Sequence, residues 1–151
     1  MDYYYGALIA GLIFTVIGVI LGIAAYILTA LGLYAIAKNR GMENPWLAWI
    51  PIAQFYIIGA IVKELKFGSS FTIPKMELVL PLGALAMAIL GWIPVLGWLL
   101  GIAYAIVAVY SLYVLYQKYV PQQAVLYTVL SCIGLFPIFI FVIRKKNPVE
   151  M

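Results

Sequence analysis

The stretch that decides the fold is YYYGALIAGLIFTVIGVILGIAAYILTALGLYAIA, residues 3–37, which contains no charged residue. A helix needs about 20 residues to cross the roughly 30 Å of hydrocarbon in a bilayer. This run therefore predicts one long membrane helix with room to tilt. Three further charge-free runs follow, at residues 44–62, 78–117 and 119–143. Apolar runs separated by short charged segments organise the whole chain.

The composition excludes the other broad classes of protein. Of the 151 residues, 67% are hydrophobic and 9% are charged, whereas about a quarter of a soluble domain is charged. A disordered chain is excluded because disorder goes with low hydrophobicity and high charge. We therefore predict a single integral membrane domain over residues 1–151. The net charge of +4 comes from basic residues at the edges of the apolar runs, which suits anionic lipid headgroups better than nucleic acid.

The later runs divide into membrane segments at glycine and proline. Run 78–117 is long enough for two spans, with its natural break at Gly91–Trp98, and run 119–143 holds one span. Run 44–62 is short and is interrupted by Pro51, so it is either a minimal span or a re-entrant segment. The predicted fold class is an all-α polytopic helical membrane protein with five membrane segments, and four spans plus a re-entrant segment is the alternative.

The positions of lysine and arginine predict the orientation in the membrane. With five spans, one side holds Lys38, Arg40, Arg144, Lys145 and Lys146, and the other holds Lys63, Lys66, Lys75 and Lys118. The two densest clusters, Lys-Asn-Arg and Arg-Lys-Lys, then share a side. We therefore predict the N-terminus with Asp2 outside and the C-terminus with Lys145 in the cytoplasm. With four spans, the basic tail would lie outside.

Three prolines, Pro51, Pro94 and Pro137, recur at a spacing of 43 residues. Each stands in a similar pentad: AWIPI, GWIPV and GLFPI. One interpretation is a degenerate three-fold repeat in which each proline starts or kinks a helix, as in transporters with broken helices. The other is chance similarity between apolar segments, since proline breaks are common in membrane helices.

The first run carries a seam of small residues. Its members alternate at spacings of four and three residues: Gly11, Thr15, Gly18, Gly22, Ala25, Thr29 and Gly32. This spacing keeps one stripe of the helix facing a partner helix, and small residues let two backbones approach closely in lipid. The seam packs either within its own monomer or between protomers or subunits. Within the monomer, the best mate is a second small stripe formed by Gly97, Gly101, Ala105 and Ala108.

The chain lacks the side chains that most catalytic sites need. It has no histidine and one cysteine, Cys132, which removes His-based nucleophile pairs and His-based metal sites. All five carboxylates lie outside the apolar runs: Asp2, Glu43, Glu64, Glu77 and Glu150. A proton- or ion-coupled transporter would be expected to hold an acid inside a span. We therefore predict no catalytic residues, no metal site and no cofactor.

Few polar side chains lie inside the runs. Gln54 stands just after Pro51 and either satisfies a backbone carbonyl freed by the proline or lines a substrate path. Tyrosines crowd the end of the predicted fourth span and are typical of an aromatic belt at the membrane interface: Tyr104, Tyr110, Tyr113, Tyr116 and Tyr119.

The stretch AKNRGMENPWLAWIPIAQFY, residues 37–56, resembles a pattern in small bacterial membrane proteins of unknown function. In that group a basic residue and glycine precede a tryptophan, and Ile-Pro-Ile is followed by an amide and an aromatic residue. Many repeat the Ile-Pro unit, as this chain does at Ile93-Pro94, and have a tail like RKKNP at residues 144–148. The resemblance implies a bacterial cytoplasmic membrane location and no particular chemistry.

These observations predict a non-enzymatic membrane protein that acts through helix–helix association, as an accessory or assembly subunit or as a homo-oligomeric scaffold. The expected partners are membrane lipid and a second copy or another membrane subunit, and no nucleic acid. The alternative is a small channel or carrier for an uncharged or lipidic substrate.

Overall fold

The computed structural model describes residues 2–67 and 71–149, and this part is predominantly helical, as expected. Its α-helices are α1 (Asp2–Asn39), α2 (Pro51–Val62), α3 (Met76–Leu90), α4 (Pro94–Tyr119), α5 (Ala124–Leu130) and α6 (Phe136–Ile143). Shorter elements join them: a 3-10 helix at Pro45–Trp49, strands β1 (Leu65–Phe67) and β2 (Phe71–Ile73), a 3-10 turn at Pro121–Gln123 and a π-helical turn at Ser131–Leu135. The two strands pair as an antiparallel hairpin, which an all-α fold did not predict.

By length and composition alone, three helical stretches of the described chain are long and apolar enough to cross a membrane, namely Tyr4–Asn39, Pro94–Tyr119 and Pro121–Ile143. The predicted break in the third run is found at residues 91–93, between α3 and α4. Helices α2 and α3 have 12 and 15 residues, fewer than the about 20 needed for a full span. The second run is not one continuous helix, because the backbone of Ile50 is extended between the 3-10 helix and α2.

Each of the three repeated prolines stands at the beginning of a helix. Pro51 and Pro94 are the first residues of α2 and α4, and Pro137 is the second residue of α6. Proline suits these positions because its missing N–H has no helical partner there, and its ring favours an extended residue before it. The third unit differs: Phe136 is already helical, and the chain turns at Gly134 (φ +101°), a conformation open to glycine.

The fourth apolar run folds back on itself at this glycine. The rings of Tyr127 in α5 and Phe139 in α6 are stacked with their centroids 4.3 Å apart. Residues at that separation in sequence would lie about 18 Å apart along a straight helix. Tyr116 of α4 packs edge-on against both rings. Helices α5 and α6 therefore lie side by side rather than in line.

Both ends of the folded-back run are held by neighbouring residues at the end of α1. The Arg40 Nε donates a hydrogen bond to the Tyr119 hydroxyl (2.7 Å). The Asn39 Nδ2 donates to the carbonyl of Arg144 (3.1 Å). The chain thus enters and leaves this segment at the same end of the bundle.

The second run and the β-hairpin return to the same end as well. The Lys118 Nζ donates to the carbonyls of Ile61 (2.7 Å) and Val62 (3.1 Å), the last residues of α2. After the hairpin, the backbone N–H of Met76 donates to the carbonyl of Lys63 (2.9 Å). Helix α3 therefore starts beside the end of α2, and α4 ends beside both.

The connecting segments 38–44, 63–67, 71–75, 118–123 and 144–149 therefore gather at one end of the molecule, which we call the basic end. All nine lysine and arginine residues of the chain belong to these segments. The clusters Lys-Asn-Arg and Arg-Lys-Lys share this end, as the sequence predicted.

The prediction that Lys63, Lys66, Lys75 and Lys118 lie on the side opposite Arg40 is wrong. The physical reason is that the segments between them turn back within the bundle, which brings Lys63 and Lys118 close to Arg40. The alternative division, with the tail on the opposite side, fails for the same reason, because Asn39 holds Arg144. The side chain of Asp2 lies outside the described part of the structure.

The hydrophobic core lies towards the basic end. Its fully buried side chains come from all six α-helices and include Leu33, Ile36, Ile57, Ile61, Leu80, Leu115, Tyr116, Ala124, Ile140 and Ile143. The Tyr116 hydroxyl and the Ser131 Oγ form a buried hydrogen bond of 2.7 Å. Within the described residues, every buried side-chain nitrogen or oxygen has a hydrogen-bond partner, so the core contains no open polar site.

Candidate functional site: the α1 seam and a basic cleft

The small-residue seam of α1 divides into a packed part and an open part. At Gly32 a Cβ atom would lie 2.6 Å from the Ile140 Cγ2 and 3.0 Å from the Ile140 carbonyl carbon, so this end of α1 packs tightly on α6. At Gly11, Gly18 and Gly22 a Cβ atom would meet nothing within 4 Å. The seam therefore serves intrachain packing only near its C-terminal end.

The open part belongs to a long exposed section of α1. Residues 4–24 are all exposed, and α1 meets the rest of the chain mainly at α6 and the 3-10 helix. This section is about 30 Å long at 1.5 Å per residue, the thickness of the bilayer hydrocarbon. Its side chains are almost wholly apolar, as Leu12, Phe14 and Leu21 illustrate. Lipid or another membrane helix is the environment that suits such a surface.

The two threonines of the seam hold their hydroxyls against their own helix. The Thr15 Oγ1 donates to the Gly11 carbonyl (2.8 Å), and the Thr29 Oγ1 donates to the Ala25 carbonyl (2.9 Å). Bonds of this i−4 type satisfy the hydroxyl locally. The seam therefore presents backbone and methyl groups to a neighbour, with no hydroxyl that needs an outside partner.

The predicted intrachain mate of the seam, the second small stripe, packs elsewhere. Gly97 lies against the turn between α3 and α4, where a Cβ would overlap the Gly91 carbonyl. Ala105 faces a groove between α4 and α5, and Ala108 borders a cavity beside α2. This pairing was wrong because α6 folds back beside α1 and occupies the place that the stripe would need.

Gln54 has the geometry expected for a structural role. Its Nε2 donates to the carbonyl of Ala48 (2.9 Å), three residues before Pro51. Its side chain also borders an apolar cavity of about 230 Å3 between α2, α3, α4 and α6, whose walls include Leu80 and Phe136. One of the two N–H donors of the amide is thus already used within the chain.

A second candidate site, which sequence reasoning missed, is a cleft at the basic end. It has a volume of about 670 Å3, and its charged walls are Arg40, Lys63 and Lys118. We call it the basic cleft. The cations come from the ends of α1, α2 and α4, and Asn39 also lines it. The sequence carried no signal for this site because the five-span topology placed Arg40 on one side of the membrane and the two lysines on the other.

No known protein family, no curated protein and no solved structure matches this chain.

Proposed function

We propose that this chain is a non-enzymatic integral protein of the bacterial cytoplasmic membrane that works by association of α1 with α1 of a second copy. The observation that supports this most directly is the open part of the seam, where Gly11, Gly18 and Gly22 have no neighbour within the chain. Such a protein would serve as a homo-oligomeric scaffold or as a subunit that joins other membrane proteins.

The energetics of glycine support the proposal. Inside a helix, glycine is less favourable than alanine by about 0.5–1 kcal/mol. At Gly18 and Gly22 no packing within the monomer offsets this cost, since a Cβ atom there would meet nothing within 4 Å. In lipid, helices associate through van der Waals contact and close backbone approach, and glycine permits both. A partner helix against the seam would compensate for the cost.

The rival function, a carrier for an uncharged or lipidic substrate, has weaker support. Its candidate polar residue, Gln54, already donates to the Ala48 carbonyl. The cavity beside it, about 230 Å3, is smaller than the ligand pockets of roughly 300–1,000 Å3 that are usual in proteins. Association through α1 therefore remains the better-supported proposal.

The proposed arrangement in the membrane places the basic end in the cytoplasm, because lysine and arginine accumulate on that side. Helix α1 crosses the bilayer with its N-terminus outside. The segments 41–62, 76–119 and 121–143 each enter from the cytoplasmic side and return to it. In this arrangement the chain crosses the bilayer once, through α1, instead of five times. The two termini still lie on opposite sides of the membrane.

Cysteine accessibility tests this arrangement. In a Cys132→Ala background, the single variants Lys63→Cys, Lys118→Cys and Lys145→Cys are all expected to react with a membrane-impermeant thiol reagent only from the cytoplasmic side. Asp2→Cys serves as the control and should react only from outside. Labelling of Lys63→Cys and Lys145→Cys from opposite sides would refute the re-entrant arrangement. Five spans would then be indicated if Lys63→Cys shares the side of Asp2→Cys, and four spans if Lys145→Cys does.

A substitution at the centre of the open seam tests the association itself. Gly18→Leu is expected to leave a folded monomer and to weaken association by at least about 1–3 kcal/mol, the usual cost of forcing bulk into a packed contact. The measurement is the oligomeric state, by light scattering in detergent and by cross-linking in vesicles. The matched control is Leu21→Ala, an exposed position beside the seam, which should change little. A wild-type protein that is strictly monomeric in both media would contradict the proposal.

A further inference from the structure

Three positively charged side chains, from the ends of three different helices, line the basic cleft. Arg40 follows α1 directly, Lys63 follows α2 and Lys118 lies in the last turn of α4. Among the described residues that line the cleft, none is acidic. Like charges repel when they face one cavity, so an arrangement of this kind is stabilised by an anion between them.

Most of the N–H groups of the Arg40 guanidinium make no hydrogen bond to the described part of the chain. Its Nε donates to the Tyr119 hydroxyl (2.7 Å), and its guanidinium carbon lies 5.4 Å from the centre of the Tyr119 ring. Within the described residues, its terminal nitrogens donate to no protein group. A guanidinium fixed at one edge presents a planar pair of N–H groups that matches two oxygens of a phosphate.

Lys118 is a fixed charge on another wall of the cleft. Two of its three ammonium protons are directed to the carbonyls of Ile61 and Val62 at the end of α2. The side chain has therefore already lost its rotational freedom in the folded protein. An anion that meets this ammonium need not order it again, which lowers the entropic cost of binding.

Lys63 has an unusual backbone conformation. Its φ of +68° and ψ of −63° form a classic γ-turn, in which the Glu64 N–H donates to the Val62 carbonyl (3.0 Å). This turn is rare and strained for a residue other than glycine. The adjacent carboxylate, Glu64, forms its ion pair with Lys66 at 3.0 Å; among the described residues, no carboxylate lies within ion-pair distance of the Lys63 ammonium. The turn places an exposed ammonium on the rim of the cleft.

We propose that the basic cleft binds the phosphate group of an anionic membrane lipid. The cleft lies at the basic end, where the apolar helices stop, which is the depth at which lipid phosphates lie. Its lining combines the three cations with apolar side chains, namely Met42, Ala60 and Val149, which suits a phosphodiester with attached glycerol better than a fully hydrated inorganic ion. Arginine and lysine clusters on the cytoplasmic side of membrane helices recognise such headgroups.

The test uses the full-length protein in a mild detergent, with lipid binding measured by native mass spectrometry. Phosphatidylglycerol is expected to bind at least about tenfold more tightly than zwitterionic phosphatidylcholine. The double variant Arg40→Gln/Lys63→Gln should lose most of this preference, a weakening of about tenfold or more. The control, Lys145→Gln/Lys146→Gln, removes the same charge from the same end of the molecule outside the cleft and should weaken binding less than about twofold.

Three results would overturn the proposal. The first is equal affinity for the anionic and the zwitterionic lipid. The second is an equal loss in the cleft variant and in the control, which would mean diffuse electrostatic attraction without a site. The third is full displacement of the lipid by millimolar inorganic phosphate, which would make the ligand a free anion. If the double variant fails to fold, the exposed single variant Lys63→Gln decides the question, with an expected loss of about fivefold.

Discussion

Replacing Gly59 with alanine is expected to destroy the packing of α2 against α3. Gly59 lies in α2 where this helix meets the start of α3, and a Cβ atom there would overlap the carbonyl group of Met76 and lie 2.6 Å from the Glu77 Cα. The obstacle is backbone, so no side-chain rotation can relieve it. One methyl group must therefore separate the two helices.

The start of α3 has little freedom to move away. The Met76 N–H is bonded to the Lys63 carbonyl (2.9 Å), and the side chains of Met76 and Leu80 are fully buried in the core. Separating α2 from α3 would also pull the end of α2 from Lys118, which holds its last carbonyls. We expect a loss at or above the upper end of the about 1–3 kcal/mol that overpacking costs.

The measurement is thermal unfolding in detergent, followed by the loss of the monodisperse peak in size-exclusion chromatography. The control is Gly101→Ala in α4, where the new Cβ would make an ordinary contact of 3.5 Å with the Met87 Cε. Because alanine favours helix over glycine, this variant should be as stable as wild type or slightly more stable. Equal stability of the Gly59→Ala variant would show that α2 and α3 are not packed as described.

The sequence was sufficient for part of the local structure, although it predicted neither the hairpin of β1 and β2 nor the turn at Gly134. The charge-free run 3–37 predicted α1, the Gly–Trp–Ile–Pro unit predicted the break before Pro94, and the spacing of the prolines marked the beginnings of three helices. These features depend on hydrophobicity, chain length and the missing N–H of proline, all of which are local properties. They can be derived without knowing what lies beside each segment.

The direction of each segment could not be derived in the same way. An apolar run that crosses the bilayer and one that turns back have the same composition. What distinguishes them here are contacts between residues far apart in sequence, such as Asn39 with Arg144 and Lys118 with Ile61. The basic cleft depends on these contacts, so the sequence predicted neither the cleft nor the direction of the segments that form it.

The tyrosines of α4 illustrate the same limit. Their crowding is typical of an aromatic belt facing the interface, but two of them reach carbonyls inside the chain. The Tyr104 hydroxyl donates to the Leu80 carbonyl (3.2 Å), and the Tyr110 hydroxyl donates to the Lys66 carbonyl (2.8 Å). Only the position of α3 and of the hairpin beside α4 makes these partners available, and that position is a tertiary property.

The second large effect is expected at Gly32, where leucine should detach α1 from α6. A side chain at this position would meet the Ile140 Cγ2 and the Ile140 carbonyl, which lies 3.0 Å from the Cβ position. Ile140 is fully buried, and α6 is held to α1 by the bond between Asn39 and Arg144. The variant must move α6, so we expect a loss of at least about 3 kcal/mol and much less folded protein on size-exclusion chromatography.

The comparison with Gly18 makes this prediction specific, because both glycines belong to one seam of one helix and receive the same new side chain. Gly32→Leu should abolish the fold, whereas Gly18→Leu should remain a folded, monodisperse monomer and lose only association, since nothing lies within 4 Å of its Cβ position. If both variants unfold, the N-terminal half of α1 packs on its own chain. If both remain folded, α6 does not lie against α1, and the re-entrant arrangement of residues 121–143 loses its main support.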